Sequence, residues 1–426
     1  MTTHRGETSG PGAPSRSRRP RLLIVARDLY PPFRVDITEL FSTFLGRWLD
    51  LTWLMRRDRD GPGATIEASP HERFIVPARK PGRLSGVRAR LSYFRTALTQ
   101  VANAAGGRWD LIQVRDIPIG GVWFLLAALI ARKPFVYWMS FPVLEGYRDR
   151  ARNPGPGDGV GLTLYRRAYY VIGRFIQYRV VLRLADFVFV QSEIMKREVA
   201  GKGVDAGKIM AVPMAVNVAT CNPEAIPPVD DPRLRDRRVL VYVGSLEAQR
   251  QPVLLIEALA AVAREEPSVT LVFVGDSDPE TAAPMAERAK VLGVGDRILH
   301  TGRLPLREAL AYVARADVCL ALYPVTDLLV SGTPTKLVEY LAMGRPVVGN
   351  PHPYQSRLLE ATGAGTIAEM NPEAFAAAIV SLLRDDAGTR ARASAAPAWI
   401  RDNLSYEVTA ERVGAVYARL LKVAQP

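Results

Sequence analysis

One rhythm constrains this chain more than any other feature, and it runs twice. Near-continuous apolar stretches alternate with segments of helical spacing. In the first run, RLLIVARDLYPP (21–32) reads as a strand and loop, ITELFSTFLGRWLD (37–50) as a helix, and LTWLM (51–55) and ERFIVPA (72–78) as strands. DLIQVRD (110–116) is a strand ending in charge, and GVWFLLAALIAR is a helix leading to the strand PFVYWMS (134–140). DFVFVQSE (186–193) runs into a helix with Ser192 as its N-cap, and KIMAVPM (208–214) closes the series. The rhythm stops in NVATCNPEAIPPVDDPRLRD (217–236), which has prolines and aspartates but no period. It resumes with RVLVYVGS (238–245), VTLVFVGD (269–276), RILHTGR (297–303), DVCLALYP (317–324), PVVGN (346–350) and a short strand in TGAGTIAE (362–369). Helices are expected between them at 252–264, 280–292, 306–315 and 334–343, and NPEAFAAAIVSLLRDD (371–386) opens with an Asn-Pro helix start.

Strands apolar on both faces, separated by helices, predict parallel sheets covered on both sides. The fold class is therefore α/β, with two Rossmann-like, doubly wound parallel-sheet domains. The expected divisions are a disordered basic tail at 1–20, a first domain at 21–216, a linker at 217–236 and a second domain at 237–404. A C-terminal amphipathic helix at 405–426 could cross back to the first domain. A length of 426 residues suits two domains. Ligands of open α/β sheets bind at the carboxyl ends of the strands, so two facing sheets create one cleft.

Composition narrows the chemistry. Cys221 and Cys319 stand far apart and build neither a disulfide framework nor a zinc site; they fit a reducing compartment. The four histidines have no metal-ligand spacing, and no metal or cofactor is expected. No Gly-x-Gly-x-x-Gly or Gly-x-Ser-x-Gly is present, which leaves dinucleotide redox and nucleophile-elbow chemistry unsupported. The net charge of +13 is lopsided: residues 1–220 carry +16 and residues 221–426 carry −3. A basic half fits a phosphate-bearing substrate or an anionic membrane surface; no nucleic-acid module accompanies it. The tail lacks a signal peptide's apolar core, so a cytoplasmic location is expected. The run 122–131 is too short to span a bilayer and reads as a buried helix.

Two constellations carry chemistry. In SGTPTKLVEYLAMGRP (331–346), Thr333 is the expected N-cap and Pro334 the first helical residue. Free N–H groups at such a start attract phosphate, and Lys336 adds a point charge. Glu339, one turn on, suits paired hydroxyls such as a ribose. In VYVGSLEAQRQPVLLIEAL (241–259), Gly244 permits close approach after a strand, Ser245 follows it, and Arg250 has a fork suited to a diphosphate.

Taken with LVFVGDSD, ILHTGRLPLREALAYVARADVCLALYP and SGTPTKLVEYLAMGRPVV, the stretch GSLEAQRQPVLLIEAL gives a resemblance. The chain resembles the GT-B-fold glycosyltransferases of family 4, which are retaining enzymes dependent on nucleotide sugars. The likeness is close over 238–424 and looser before it, through LLIVARDLYPP, LIQVRD and FVFVQSEIMKREV. It implies two domains facing across a cleft. It implies that Arg250 and Lys336 act on the donor diphosphate and are the catalytic residues, and that Glu339 holds the ribose. It implies that Thr333, Pro334 and Thr335 lie by the phosphates and the backbone at Gly302 and Arg303 by the base. The resemblance also exposes departures. Ser331 stands where the family's first signature glutamate is expected, near the transferred sugar. The usual glycine pair after strand one is replaced by Tyr30-Pro31-Pro32-Phe33-Arg34-Val35-Asp36, and Met139-Ser140-Phe141 lacks the histidine common there.

Acceptor contacts are expected from Arg34, Asp36, Arg115 and Glu145, with Asp116 beside them. Asp276-Ser277-Asp278 looks like a metal-binding Asp-x-Asp but follows a strand within this pattern and reads as a loop beside the nucleotide. The implied partners are a nucleotide-diphosphate sugar and a glycan or lipid-linked acceptor. The arginines and aromatics of 165–187 suit an anionic membrane surface. The competing reading is a non-catalytic nucleotide-sugar-binding subunit with the same fold.

Overall fold

A computed structural model describes residues 18–81, 85–155 and 157–424. The tail expected at 1–20 lies outside the described residues as far as Ser17; Arg18 is described and pairs with Asp110 at 2.8 Å. Two sheets organise the chain. The first has eight strands: β1 (Arg21–Tyr30), β2 (Asp50–Arg57), β3 (Ala64–Ser69), β4 (Glu72–Val76), β5 (Leu111–Arg115), β6 (Phe135–Met139), β7 (Phe187–Val190) and β8 (Ile209–Ala211). Their order is β3-β4-β2-β1-β5-β6-β7-β8. Every pairing is parallel except β3 with β4. β5, β6 and β7 are buried at every residue, as strands covered on both faces must be. The antiparallel edge strand β3 has no counterpart in the sequence reading; apart from Ile66 its residues are polar or small, and most are exposed, which suits a sheet edge.

The second sheet contains β9 (Arg238–Val243), β10 (Val269–Val274), β11 (Ile298–Gly302), β12 (Val318–Ala321), β13 (Val347–Gly349) and β14 (Gly365–Ile367). Its order, β11-β10-β9-β12-β13-β14, is that of a doubly wound dinucleotide-binding sheet. The strand order reverses between β9 and β12, so the ligand crevice belongs at the carboxyl ends of these two strands.

Helices on one face of the first sheet are α1 (Ser85–Ala105), α2 (Gly121–Ala131), α3 (Val143–Arg152), α4 (Val160–Phe175), which winds on into α5 (Leu182–Leu184), and α6 (Glu193–Gly201). Ser192 caps α6, its Oγ accepting from Met195 N at 3.2 Å. On the other face lies a helical segment, Asp36–Phe44, wound wider than an α-helix. Around the second sheet lie α7 (Pro252–Glu265), α8 (Pro279–Val291), α9 (Leu306–Arg315), α10 (Thr335–Ala342), α11 (Pro353–Thr362) and α12 (Pro372–Arg384). α13 (Asp386–Ala393) and α14 (Ala396–Leu404) lead to α15 (Tyr406–Leu421). α15 packs against Asp36–Phe44, and Tyr417 Oη donates to Gln113 Oε1 of β5. The chain crosses between the sheets twice, side by side: Val216 N donates to Leu404 O and Tyr406 N to Val216 O.

α2 corrects one expectation. It is not buried all round: Trp123, Leu126, Leu129 and Ile130 are exposed, the last at 72%. The sheet covers one side of the helix, and α1 and α5 do not reach the other. No helix among the described residues is long and apolar enough to cross a membrane.

Candidate functional site

The crevice at the switch point of the second sheet gathers the residues that the sequence singled out. Gly244 follows β9 with φ at +127°, a conformation that favours glycine. A Cβ there would stand 3.1 Å from Lys336 Nζ. Lys336 is the second residue of α10 and only 8% exposed. Its ammonium lies 3.5 Å from the centroid of the Tyr242 ring and has no hydrogen-bond partner. Arg250 closes a tight turn, Ala248–Arg250, before α7. Its guanidinium lies 5.7 Å from the Tyr323 ring centroid, 3.7 Å from Glu247, and its buried Nε has no hydrogen bond. Ser245 Oγ donates to Glu247 Oε1 at 2.9 Å.

Two cations thus share the crevice, Arg250 with Glu247 as its ion-pair partner and Lys336 with no hydrogen-bond acceptor. Burial, reinforced by Arg250, holds the Lys336 amine well below its ordinary value, against the pull of Glu339. Burial pushes the Glu339 carboxyl up to about 7, with Lys336 opposing. An unpaired buried charge is costly, and an anion placed between Lys336 and Arg250 removes that cost.

What aims α10 was not legible. Val243 N, at the end of β9, donates to Tyr340 Oη at 2.7 Å, which pins the helix to the strand beside Gly244. Tyr242, Tyr323 and Tyr340 form the aromatic walls of the site; the only signal for them was proximity to the motif residues. The helix start differs by one residue from expectation. Pro334 is the cap and Thr335 opens α10. Thr333 does not cap: its Oγ1 accepts from Met214 N of the first domain at 3.0 Å. Ser331 is 1% exposed; its carbonyl accepts from Ser192 Oγ at 2.7 Å, while its own Oγ has no partner. Gly302, at φ +70°, and Arg303 form the neighbouring loop, and Arg303 N donates to Asp276 Oδ1 at 2.9 Å. Asp278 caps α8 through Thr281 N at 2.7 Å, so both carboxylates of the Asp-x-Asp are committed to backbone.

On the facing domain, the expected acceptor residues separate. Arg115 has no exposed side chain; it bonds Asp36 at 2.6 Å and Asp28 at 3.1 Å. Arg34 pairs with Asp36 at 3.1 Å. Burial alone would raise the Asp36 carboxyl, but Arg115 and Arg34 hold it far below the usual range. Arg115 and Asp36 were expected to contact an acceptor; they are instead internal ties at the ends of β1 and β5. Arg34 remains partly exposed, and it acts on the Tyr323 hydroxyl across the cleft, opposing together with Arg250 the upward push of burial. Glu145 bonds Lys202 at 3.2 Å and Tyr178 at 3.4 Å; its Oε2 is free of hydrogen bonds and borders the groove to Asp327. Asp116, at φ +56°, accepts from Ser140 N at 2.8 Å.

The chain was compared with known proteins. Residues 16–215 match a family model described as a glycosyl transferase 4-like domain, and residues 237–385 match the glycosyl transferases group 1 model. Together these cover most of the chain. It belongs to the GT-B glycosyltransferases. A curated relative, the D-inositol 3-phosphate glycosyltransferase of Kineococcus radiotolerans, is 27% identical over 271 residues, or 59% of this chain. The matched part spans 61% of the relative's length. Sucrose-phosphate synthase from Thermosynechococcus elongatus has the same fold, with TM-score 0.68 and 19% identity over 95% of this chain and 100% of that one. HepE of Anabaena, solved in complex with UDP, superposes with TM-score 0.67 and 16% identity over 94% of this chain and 100% of that one. In this glycosyltransferase the crevice of Lys336 and Arg250 therefore lies in the domain matched by the group 1 model, and the Arg115 network in the domain matched by the 4-like model.

Proposed function

We propose that this glycosyltransferase moves a sugar from a nucleoside-diphosphate sugar to a glycan or lipid-linked acceptor with retention of configuration, in the synthesis of an exopolysaccharide or cell-envelope glycan. The observation that carries the reading is the unpaired, buried Lys336 ammonium beside Gly244 and Arg250. Breaking the anomeric C–O bond places charge on the leaving diphosphate. Fixed cations and the N–H groups that open α10 meet that charge as it develops. Glu339, one turn along, accepts from the ribose hydroxyls once ionised. The leaving phosphate can take the acceptor's proton, so no separate base is required. Nearby, Ser331 offers an uncommitted hydroxyl where a carboxylate was expected, and we assign it to the transferred sugar. That HepE was solved with UDP supports a uridine donor.

The test is nucleotide release from UDP-, GDP- and ADP-sugars, with the product anomer read by NMR. Turnover of one donor, lost in Lys336→Ala, is expected. Nucleotide binding with no turnover of any donor would favour the non-catalytic subunit.

Peripheral attachment to the cytoplasmic face of a membrane belongs to the same proposal. α1, α2 and the stretch 160–184 hold eight arginines and no Asp or Glu. They expose Leu91, Phe94, Trp123, Ile130, Ile172 and Phe175. Apolar side chains set among these arginines, of which Arg166 pairs with Asp158, suit an anionic interface. Flotation with phosphatidylglycerol vesicles is expected, and absence of binding at physiological salt would remove this part.

A further inference from the structure

A second basic region of the first domain, apart from the ion-pair network just described, is a cavity. It lies at the carboxyl ends of β1, β2, β4 and β5, roofed by α1 and walled by α3 and α4, with a volume of about 570 Å³. Five arginines line it: Arg27, Arg56, Arg57, Arg79 and Arg90. Arg79 pairs with Asp60 at 3.3 Å. Among the described residues, the other four have no carboxylate within ion-pair distance, and the buried Arg57 Nε has no hydrogen bond. Asp116 is the one carboxylate in the lining, and its oxygens are occupied by Ser140 and Phe141. Four arginines without an ion-pair partner therefore border a space whose one lining carboxylate, Asp116, is turned to Ser140 and Phe141.

The remaining wall is aromatic and continuous with the exposed apolar face. Tyr93 and Phe94 of α1 line the cavity, and Phe94 is itself 53% exposed. Tyr147 of α3 stacks on Tyr169 of α4 at 4.3 Å, and Tyr165, at 6.0 Å from Tyr169, continues the cluster outward. On the far side of α3 lies the interdomain cleft: a Cβ on Gly146 would stand 3.7 Å from Leu328 of the second domain. One helix diameter, roughly 10 Å, separates the cavity from the cleft.

We infer that this cavity is the acceptor's headgroup site, and that the acceptor is a phosphate-bearing amphiphile whose phosphate sits among Arg27, Arg56, Arg57 and Arg90 while its apolar chain leaves between α1 and α4. This rests on the transferase reading above and names the acceptor class for it. Guanidinium groups bind phosphate through paired, charge-assisted hydrogen bonds. A neutral glycan would leave the four charges unanswered, and a free sugar phosphate would make no use of the aromatic exit. With its phosphate held here, the sugar end of the acceptor extends past α3 toward Lys336 and the donor.

The experiment uses the full chain and three probes: dodecyl phosphate below its micellar concentration, dodecyl maltoside with the same tail, and inorganic phosphate. Binding is read by intrinsic fluorescence. Dodecyl phosphate is expected to bind at least about tenfold more tightly than either control, tail and charge each contributing. Arg57→Gln with Arg90→Gln is expected to weaken dodecyl phosphate about tenfold or more and to leave UDP binding unchanged, which also reports that the variant is folded. Equal binding of dodecyl maltoside would overturn the phosphate site, and equal binding of inorganic phosphate would overturn the amphiphile. Unchanged dodecyl phosphate binding in the double variant would overturn the assignment to these arginines. Failure of the wild type to bind UDP would instead strike the donor reading and leave the cavity result intact.

Discussion

The two sheets place charge at the same topological point and treat it in opposite ways. At the ends of β1 and β5, Arg115 and Arg34 meet Asp36 and Asp28, and each cation has its counter-charge inside the protein. At the ends of β9 and β12, Lys336 and Arg250 have buried nitrogens without hydrogen-bond partners. The first arrangement holds strands and a loop together. The second remains strained until a ligand arrives. Position in the fold nominates both crevices, and the pairing of their charges tells which one is built to bind.

The sharpest way to break this contrast is to delete one cation from each crevice. Arg115→Met leaves Asp36 and Asp28 with only the partly exposed Arg34 as counter-charge, and urea melts should show a loss of about 3 kcal/mol. A loss under about 1 kcal/mol would mean the network is not a tie. Lys336→Met removes a charge that the folded state holds at a cost. Its kcat should fall about 10²–10³-fold while its melting temperature equals or exceeds that of the wild type. Destabilisation comparable to Arg115→Met would erase the distinction.

Protonation gives subtler tests. Burial and Arg250 depress the proton affinity of Lys336, and a diphosphate bound as proposed would raise it. UDP binding at mildly alkaline pH should take up protons, seen as a buffer-dependent heat in calorimetry, and Lys336→Met should abolish the uptake. The smallest effect concerns Glu339. Its folded pKa, about 7, lies above the ordinary 4.5, so the folded form keeps a proton that the unfolded chain releases. That contribution to stability is complete below about 4.5 and disappears as pH rises through 7. Glu339→Gln should flatten the pH profile of thermal stability between 5 and 8 in the nucleotide-free protein; an unchanged slope would assign it elsewhere.

Much of this was legible in the sequence, for identifiable reasons. Lys336 and Glu339 lie three apart after a proline, so local helical geometry alone puts them on one face. The parallel sheets follow from strands such as VTLVFV, which is apolar but for Thr270 and buried at every position. What stayed hidden depends on partners remote in sequence. Asp28 is 87 residues from Arg115, and nothing near LIQVRD announces that its arginine is neutralised. Tyr340 looks like a core residue, yet its hydroxyl pins α10 by receiving Val243 N, 97 residues away. Thr333 had the sequence of a cap and was diverted by Met214, a contact that only the docking of two domains creates. In α2 the apolar run predicted burial, because composition cannot say how many neighbours a helix will have.

The contacts of Ser331 and Thr333 fasten the two domains to each other at a single loop. Ser192 holds the Ser331 carbonyl and Met214 N holds the Thr333 hydroxyl, so the loop before α10 is tethered to the opposite domain. Swinging the domains apart must break both hydrogen bonds, each contributing about 1 kcal/mol. The tension would fall on the loop that leads into α10 and the proposed diphosphate site. On the proposed donor reading, the movement that uncovers the cleft would also loosen a spent donor.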